Sequence, residues 1–265
     1  MSEKKEVTKK PDLANILPEL VTLLEAGVHF GHERSKRNPK MEQYIFMQRN
    51  RVAIVDLEQT LEHLKAAAEF AYKVASTPSN ELLFVGTKRQ ARAIVRKYAE
   101  AAGQPYVTQR WLGGTLTNFS TILKSIEKLD ELKRISGSST MTKMTKKERA
   151  VHQKEIGRLE GVLEGIKSLK TLPAAVVVIG AHDEKIAVRE AIRVGIPVIG
   201  LTDTNADPEQ VDYPIPGNDD AVRSIDLITK VLAEAILKAR GKTLDLSGTL
   251  KEKAEDTESA EKASA

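Results

Sequence analysis

The chain has 265 residues, of which 41% are hydrophobic and 29% charged, and this composition is typical of a globular protein with a substantial core. It contains no cysteine, which excludes disulfides, thiolate metal ligands and cysteine nucleophiles. The net charge of +4 is modest, and no apolar run reaches the length of a membrane span. The N-terminus also lacks a signal-peptide pattern, so we expect a cytoplasmic protein with no membrane contact.

The first half of the chain predicts one helix and then alternating strands and helices. Residues 1–12 and 241–265 have no apolar periodicity, and we expect both segments to be disordered. Leucine spacing predicts a first helix over 13–26, with Gly27 as its C-cap. Apolar and amphipathic runs then predict strands at 52–57, 81–86 and 105–111, and helices at 58–76 and 88–102.

The second half continues this alternation after an interruption. Strands are predicted at 174–180 and 196–204, with a helix at 184–194 between them. The segment "DYPIPGNDD" leads into a last helix over 219–239, whose first turn is expected to hold Asp219 and Asp220. Because continuous apolar strands alternate with helices, we predict an α/β fold, with a parallel sheet covered by helices on both faces.

The interruption is the segment 116–170, where no strand pattern occurs. Two stretches of helical apolar periodicity flank a polar turn, and Thr145 with Glu148 forms a capping-box pattern at the start of the second stretch. We predict an antiparallel helical hairpin inserted into one α/β domain made of 13–115 and 171–240. Three glycines of the second arm lie four residues apart, which indicates close approach of the two arms or, alternatively, a frayed arm: Gly157, Gly161 and Gly165.

Basic residues form three clusters that suit a large polyanion. Residues 88–97 contain five bases and no acid, and Arg89, Arg92 and Arg96 fall on one face of the predicted helix. The alternative is an ordinary solvated helix surface, although such surfaces usually interleave both signs of charge. We therefore predict contacts with a phosphate backbone. The other clusters carry six bases against two acids and eight bases against two acids, at 33–51 and 133–158 respectively.

The stretch "RWLGGTLTNF", residues 110–119, contains the only tryptophan of the chain. Trp111 follows an arginine and precedes a glycine pair, so it could stack on an unpaired base or pack where the hairpin joins the sheet. Hydroxyl and amide groups of Thr115 and Asn118 can bond phosphates and 2′-hydroxyls. Our hypothesis is that Arg110 and the threonine-rich turn face RNA while Trp111 braces the hairpin.

Catalytic and metal-binding patterns are weak. His29 and His32 resemble half of a zinc site, but the other histidines are scattered, so we interpret the pair as structural. A segment that begins like a calcium loop has Pro208 and Pro214 where glycine and glutamate are required. We predict no cofactor, no metal and no enzyme activity, and leave open only occasional metal binding at Asp203 and Asp207. The alternative is an α/β enzyme that binds a nucleotide or sugar phosphate at two strand-end loops, 86–88 and 203–207.

Five long segments, in order along the chain, carry a resemblance to a known family. They are "AGVHFGH" at 26–32, "NPKM" at 38–41, "LFVGTKRQA" at 83–91, "RWLGGTLTN" at 110–118 and "LTDTNADPEQVDYPIPGNDDA" at 201–221. With "TKKE" at 145–148, they are similar to the bacterial small-subunit ribosomal protein S-two family over roughly residues 13–240. One departure is Ile179-Gly180, where members often have Ile-Asp.

The resemblance implies a flavodoxin-like sheet with a protruding coiled-coil hairpin and no enzyme activity. It implies binding to small-subunit (16S) rRNA and proximity to other ribosomal proteins, including the large RNA-binding protein S-one in many bacteria. We predict no homo-oligomer. The residues predicted to contact RNA are basic or polar side chains of the clusters and of the tryptophan stretch: Arg34, Lys36, Arg37, Lys40, Lys88, Arg89, Arg92, Arg96, Arg110, Thr115, Asn118, Lys143, Lys146 and Lys147.

Overall fold

The N-terminal part of the fold is a short helix and a small antiparallel sheet. The computed structural model describes residues 13–136 and 145–244. Its first elements are helix α1 and strands β1 to β3, which pair in the order β1-β3-β2: Leu20–Glu25, Phe30–Glu33, Ile45–Arg49 and Val52–Val55. The predicted helix over 13–26 is too long, because Pro18 lacks an N–H donor and restricts the residue before it.

The strand predicted at 52–57 exists, but its assignment to the parallel sheet is wrong. It forms β3, which pairs antiparallel with both β1 and β2. The two residues between β2 and β3, Asn50 and Arg51, have φ angles of 50° and 67°. Such left-handed residues form the tight turns that connect antiparallel strands, so this local turn directs the chain back along β2.

The central element is a parallel five-stranded sheet. Its strands, β4 to β8, are Leu82–Val85, Tyr106–Val107, Ala175–Ile179, Val198–Thr202 and Tyr213–Pro216. They pair in the order β5-β4-β6-β7-β8, which is the 2-1-3-4-5 order of flavodoxin-like folds. The predicted α/β fold with a parallel sheet is therefore confirmed.

The edge strand β8 was not predicted, because its segment was interpreted only as the approach to the last helix. Its sequence, "YPIP", contains two prolines that cannot donate to a neighbouring strand. An edge strand needs donors on one side only, and β7 is the single described neighbour of β8. The prolines are therefore compatible with an edge strand, but in the sequence alone they argue against predicting one.

Helices cover both faces of the parallel sheet. Alternate residues of each strand point to opposite faces, so Leu82 and Phe84 of β4 belong to one apolar cluster, and Leu83 and Val85 to the other. In chain order, helices α2 to α7 span Leu57–Ala75, Arg89–Ala101, Phe119–Ser136, Lys146–Leu163, Lys185–Val194 and Val222–Ala239. Helices α2, α3 and α7 lie on the first face, and α4, α5 and α6 contribute to the second.

Helices α4 and α5 are inserted between β5 and β6 and contact one another. Ion pairs join Lys128 to Glu155 at 3.4 Å and Lys133 to Glu160 at 2.5 Å. The capping box at the start of α5 is confirmed, because Glu148 N donates to Thr145 Oγ1 at 3.3 Å and Thr145 N donates to Glu148 Oε2 at 2.8 Å. The predicted turn between the arms lies largely outside the described residues.

The glycines of the second arm do not mark close approach of the two helices. A Cβ atom added at Gly157 or Gly161 meets no atom within 4 Å, so the prediction of close approach is wrong at both positions. At Gly165, by contrast, a Cβ atom overlaps the carbonyl oxygen and ring of Tyr106 in β5. The tight contact is therefore between the end of this segment and the sheet. No helix in the described ranges is both long and apolar enough to span a bilayer.

Candidate nucleic-acid interface

The stretch "RWLGGTLTNF" is held in place by one buried carboxylate, that of Glu190 in α6. The indole Nε1 of Trp111 donates to Glu190 Oε1 at 3.1 Å, and Gly114 N donates to the same oxygen at 2.8 Å. The other oxygen accepts from the backbone N–H groups of Leu116 at 3.0 Å and Thr117 at 3.2 Å. Burial alone raises the pKa of Glu190, but these hydrogen bonds outweigh it and lower the pKa.

Trp111 itself is buried, with 8% of its surface exposed. It packs in the apolar cluster that includes Ile122 and Leu129 of α4 and Ile166 after α5. Of the two alternatives for this side chain, the structure therefore selects packing at the base of the inserted helices, and the ring does not stack on a base. No role was predicted for Glu190 from the sequence. Its position among Ala187, Val188 and Ala191, on the apolar face of α6, could have indicated that it is buried.

The carboxyl ends of β4, β6 and β7 carry a cluster of ion pairs around Lys88. Its Nζ lies 3.0 Å from Asp183, 2.5 Å from Asp219 and 2.8 Å from Asp220. Burial and then the neighbouring Asp203 raise the pKa of Asp219 to about 7, against the opposing effect of Lys88. Helix α7 begins only at Val222, so Asp219 and Asp220 lie before it. Their predicted place in its first turn is therefore wrong.

The loop before α7 has its own stabilising contacts, which explain the later helix start. Asn218 Oδ1 accepts from the backbone N–H groups of Asp220 at 2.8 Å and Ala221 at 3.1 Å. This side-chain turn satisfies the amides in a non-helical conformation. Asp219 is thereby directed inward to Lys88, where it is fully buried.

His32 joins the same acidic cluster. Its Nδ1 lies 3.0 Å from Asp203 and its Nε2 lies 3.3 Å from Asp220. Hydrogen bonding to Asp203 raises the pKa of His32 despite its partial burial. With Asp219, these residues bring one potential ligand atom each to within 4.8 Å of one another. Imidazole and carboxylates are ligands compatible with a divalent cation. From the sequence, His32 was interpreted as structural, and occasional metal binding was left open only at Asp203 and Asp207.

Several bases predicted to contact RNA are neutralised by acids of this chain. Arg37 pairs with Glu42, Lys40 with Asp207 and Glu209, Lys88 with its three aspartates, and Arg96 with Glu100. Arg92 is exposed but directs its guanidinium to two backbone carbonyl oxygens, those of Thr87 and Gln109. Their charges are partly compensated, which weakens them as independent phosphate contacts.

Other predicted bases are exposed and form no ion pair with any described residue: Arg34, Lys36, Arg89, Arg110, Lys146 and Lys147. Asn118 is also exposed, and its side-chain oxygen accepts from the hydroxyl of Thr121 at 2.9 Å. The assignment of Thr115 to the RNA-facing surface is wrong, because Thr115 is buried and its hydroxyl donates to the carbonyl oxygen of Leu112 at 2.6 Å. Lys143 lies outside the described residues.

The fold and this surface define an α/β protein of flavodoxin-like strand order, with two inserted helices and exposed cations beside a loop fixed by Glu190. The family model described as Ribosomal protein S2 matches residues 23–239. The protein named Small ribosomal subunit protein uS2 of Chlorobaculum tepidum is 49% identical over 222 residues, covering 84% of this chain and 89% of the relative. Proteins of the same name from two strains of Thermus thermophilus are 48% identical over 241 residues, covering 90% and 94%.

The chain belongs to the ribosomal protein S2 family. The resemblance found in the sequence motifs is therefore confirmed. This family is a structural, non-enzymatic one, so the exposed cations are to be explained by binding rather than by catalysis.

Proposed function

We propose that this protein is a structural component of the small ribosomal subunit in the cytoplasm and binds small-subunit rRNA through exposed cations. The single observation that carries the proposal is a set of bases that are exposed and form no ion pair with a described acid: Arg34, Lys36, Arg89, Arg110, Lys146 and Lys147. An unpaired ammonium or guanidinium releases condensed counterions when it contacts a phosphate, which is the main source of affinity for nucleic acid. Lys143 and Asn118 are included in the proposed surface.

The paired bases have a second role in this proposal. Lys40 and Arg96 hold acids of their own chain, so each must exchange an internal partner for a phosphate before it contributes. Such an exchange contributes less binding free energy than a phosphate contact by a cation that has no ion pair to break. We therefore propose that Lys40, Arg37, Lys88, Arg92 and Arg96 chiefly shape the surface, and that the unpaired bases supply most of the affinity.

The inserted helices are proposed to form an antiparallel coiled-coil hairpin, spanning 116–170, that projects from an α/β domain made of 13–115 and 171–240. The ion pairs between α4 and α5, and the burial of Ile122, Ile126 and Leu163 in one cluster, support this arrangement. Lys146 and Lys147 open α5 and would reach RNA distant from the sheet. The proposed partners are rRNA and neighbouring ribosomal proteins, including protein S-one, with a single copy of this chain.

The alternative enzyme that binds a nucleotide phosphate is disfavoured by charge. Its two loops, 86–88 and 203–207, lie beside the carboxylates of Asp183, Asp203 and Asp219. One lysine faces three acids there, so a phosphate would meet net negative charge rather than an anion site. Saturable nucleotide binding by the purified protein, at moderate salt, would support this alternative.

Sedimentation of a native cell lysate tests the proposed function. We expect the protein, followed by antibody, to co-migrate with small subunits and to remain there through a moderate-salt wash. The purified chain should bind naked small-subunit rRNA with a log–log salt slope of about −0.7 to −0.9 per phosphate contact. A protein that stays at the top of the gradient and binds rRNA without salt dependence would contradict the proposal.

A matched pair of variants assigns the affinity to the unpaired bases. Arg34→Ala/Lys36→Ala removes two exposed cations of the 33–51 cluster. Lys65→Ala/Lys73→Ala, the α2 control, removes two exposed lysines of a helix that interleaves acids. We expect the first variant to have a salt slope shallower by about two and the α2 control to behave as the wild type.

A further inference from the structure

Helix α6 has a basic outer face that none of the three predicted clusters includes. Lys185, Arg189 and Arg193 recur every four residues, so they follow one another along one side of the helix. All three are exposed. The only acid within α6 is Glu190, which is buried and accepts hydrogen bonds from the "RWLGGTLTNF" stretch. The inner face of α6 therefore fixes that stretch, and the charged residues of the outer face are all cationic, flanked by the exposed side chains of Ile186 and Ile192.

The three cations of α6 are free of internal partners. Across residues 13–136 and 145–244, no carboxylate forms an ion pair with Lys185, Arg189 or Arg193. This distinguishes them from Lys40 and Lys88, whose charges are compensated by neighbouring acids. A row of uncompensated cations concentrates positive potential on one surface and attracts a polyanion.

A polar cleft of about 290 Å³ adjoins this row. Its charged lining consists of Lys185, Arg189 and the carboxylate of Asp207, which pairs with Lys40. Its other polar lining residues are His182, Asn38, Asn205 and Gln210. The side-chain oxygen of Asn205 is buried and has no hydrogen-bond donor among the described atoms. Because Lys40 compensates Asp207, the two bases leave the cleft with a net positive charge. An unpartnered acceptor there suits a ligand that carries both hydroxyl donors and negative charge.

The cleft also connects α6 to the predicted 33–51 cluster. Asn38 lies in that cluster, and its backbone N–H donates to the carbonyl oxygen of Thr204 after β7 at 2.8 Å. This hydrogen bond fixes the segment that carries Arg34 and Lys36 against the loop that carries Asn205. The cleft is therefore bordered on one side by α6 and on the other by the segment to which Arg34 and Lys36 belong.

We propose that the outer face of α6 and the adjoining cleft form an rRNA-binding surface that takes the sugar–phosphate backbone. Lys185, Arg189 and Arg193 contact phosphates, and the amide oxygen of Asn205 accepts from a ribose 2′-hydroxyl. The inference rests on the proposed function and adds a surface to it. RNA is favoured over an acidic protein segment because the proposed function already supplies rRNA as the partner, and because unpaired cations at four-residue spacing suit the repeated phosphates of a backbone.

The experiment measures binding of the full chain to naked small-subunit rRNA, transcribed in full, over a series of KCl concentrations. Lys185→Ala/Arg189→Ala is compared with the α2 control, which removes two exposed lysines from the opposite face of the sheet. Both variants remove side chains without ion pairs in the described structure, so both should keep the wild-type unfolding midpoint. We expect the α6 variant to have a salt slope shallower by about two, and the α2 control to match the wild type.

A second variant tests the proposed ribose contact. Asn205→Ala removes the buried acceptor, and we expect weaker binding to RNA but an unchanged salt slope, because no phosphate contact is lost. A DNA of the same sequence should show no difference between Asn205→Ala and the wild type, because it lacks the 2′-hydroxyl.

The outcomes separate this inference from the proposed function. If the wild type binds rRNA and the α6 variant binds with the same slope and affinity, the inference is overturned and the proposed function stands. If the α6 variant binds naked rRNA normally but fails to enter subunits, the outer face of α6 contacts a protein neighbour. That result also overturns the inference. If the wild type itself binds no rRNA, both fail together.

Discussion

The indole Nε1 of Trp111 and the carboxylate of Glu190 lie 3.1 Å apart, joined by a hydrogen bond that links the loop before α4 to helix α6. The same carboxylate accepts from the backbone of Gly114, Leu116 and Thr117. The side chain of Glu190 therefore fixes the loop that leads into the inserted helices. The stretch "RWLGGTLTNF", which the sequence suggested as an RNA contact, has in part a structural role.

Glu190→Gln should destabilise the protein by about 2–3 kcal/mol, because hydrogen bonds to a charged acceptor are lost and the new amide N–H₂ faces backbone donors. Urea unfolding measures the change. Glu62→Gln, at an exposed position of α2, is the matched control and should change the free energy of unfolding by less than about 0.5 kcal/mol. Equal effects of the two substitutions would contradict the role assigned to Glu190.

The contribution of Glu190 should depend on pH in a defined direction. Its pKa in the folded protein is lowered from the ordinary value of 4.5, so the folded state favours the ionised form. The stabilisation is complete above about pH 4.5 and is lost as pH falls through the lowered folded pKa. The difference in unfolding free energy between wild type and Glu190→Gln should therefore shrink with acidification. A difference that grows below pH 4.5 would contradict this sign.

Lys88→Met should destabilise the fold by about 3 kcal/mol, because Asp219 is fully buried and would lose its compensating charge. The double variant Lys88→Met/Asp219→Asn should recover part of this loss, since it removes the uncompensated carboxylate as well. Chemical denaturation of all four proteins in the cycle measures the coupling. Unchanged stability of Lys88→Met with weaker rRNA binding would instead assign Lys88 to the RNA surface.

Three glycines of one segment should respond in opposite directions to alanine. Gly165→Ala should cost about 1–3 kcal/mol, because its Cβ would overlap Tyr106 of β5. Gly157→Ala and Gly161→Ala, in the exposed interior of α5, should stabilise by about 0.5–1 kcal/mol, since alanine favours the helix. Thermal unfolding of the three single variants decides the matter. A loss of stability in Gly157→Ala would instead indicate a tight contact at Gly157, where the structure has none.

Arg110→Ala should weaken incorporation into small subunits with little loss of folding stability. Arg110 is exposed and has no hydrogen bond or ion pair within the described part of the chain, so its removal breaks no internal contact. Gradient sedimentation of cells that express the variant measures incorporation, and urea unfolding measures stability. An unfolded variant would mean that Arg110 supports the loop rather than faces RNA.

Much of the fold follows from local pattern. Strands β4, β6 and β7 are continuous apolar runs, because both faces of a parallel sheet are buried, and their positions were predicted correctly. Two strands show the limit of this reasoning. The run at Val52–Val55 looks equally buried but pairs antiparallel, and the proline-rich β8 is recognisable only once β7 lies beside it.

The candidate surface was harder to predict, because residue type does not reveal the partner of a charge. Lys40 and Arg34 look alike in the sequence, yet Lys40 pairs with Asp207, 167 residues away, and Arg34 has no such partner among the residues described. Likewise, Trp111 is buried by side chains of three separate segments. Neither fact has a local signature.

The sequence by itself determined the α/β class, the capping box of α5 and the family, because apolar periodicity and long motifs are properties of consecutive residues. Only the tertiary structure decided that Trp111 is buried, that Glu190 fixes its loop and that Lys88 is neutralised. It also decided that the cations of α6 have no ion-pair partner among the described residues. Each of these depends on the distance between groups far apart in the chain, and electrostatic and packing energies are set by that distance.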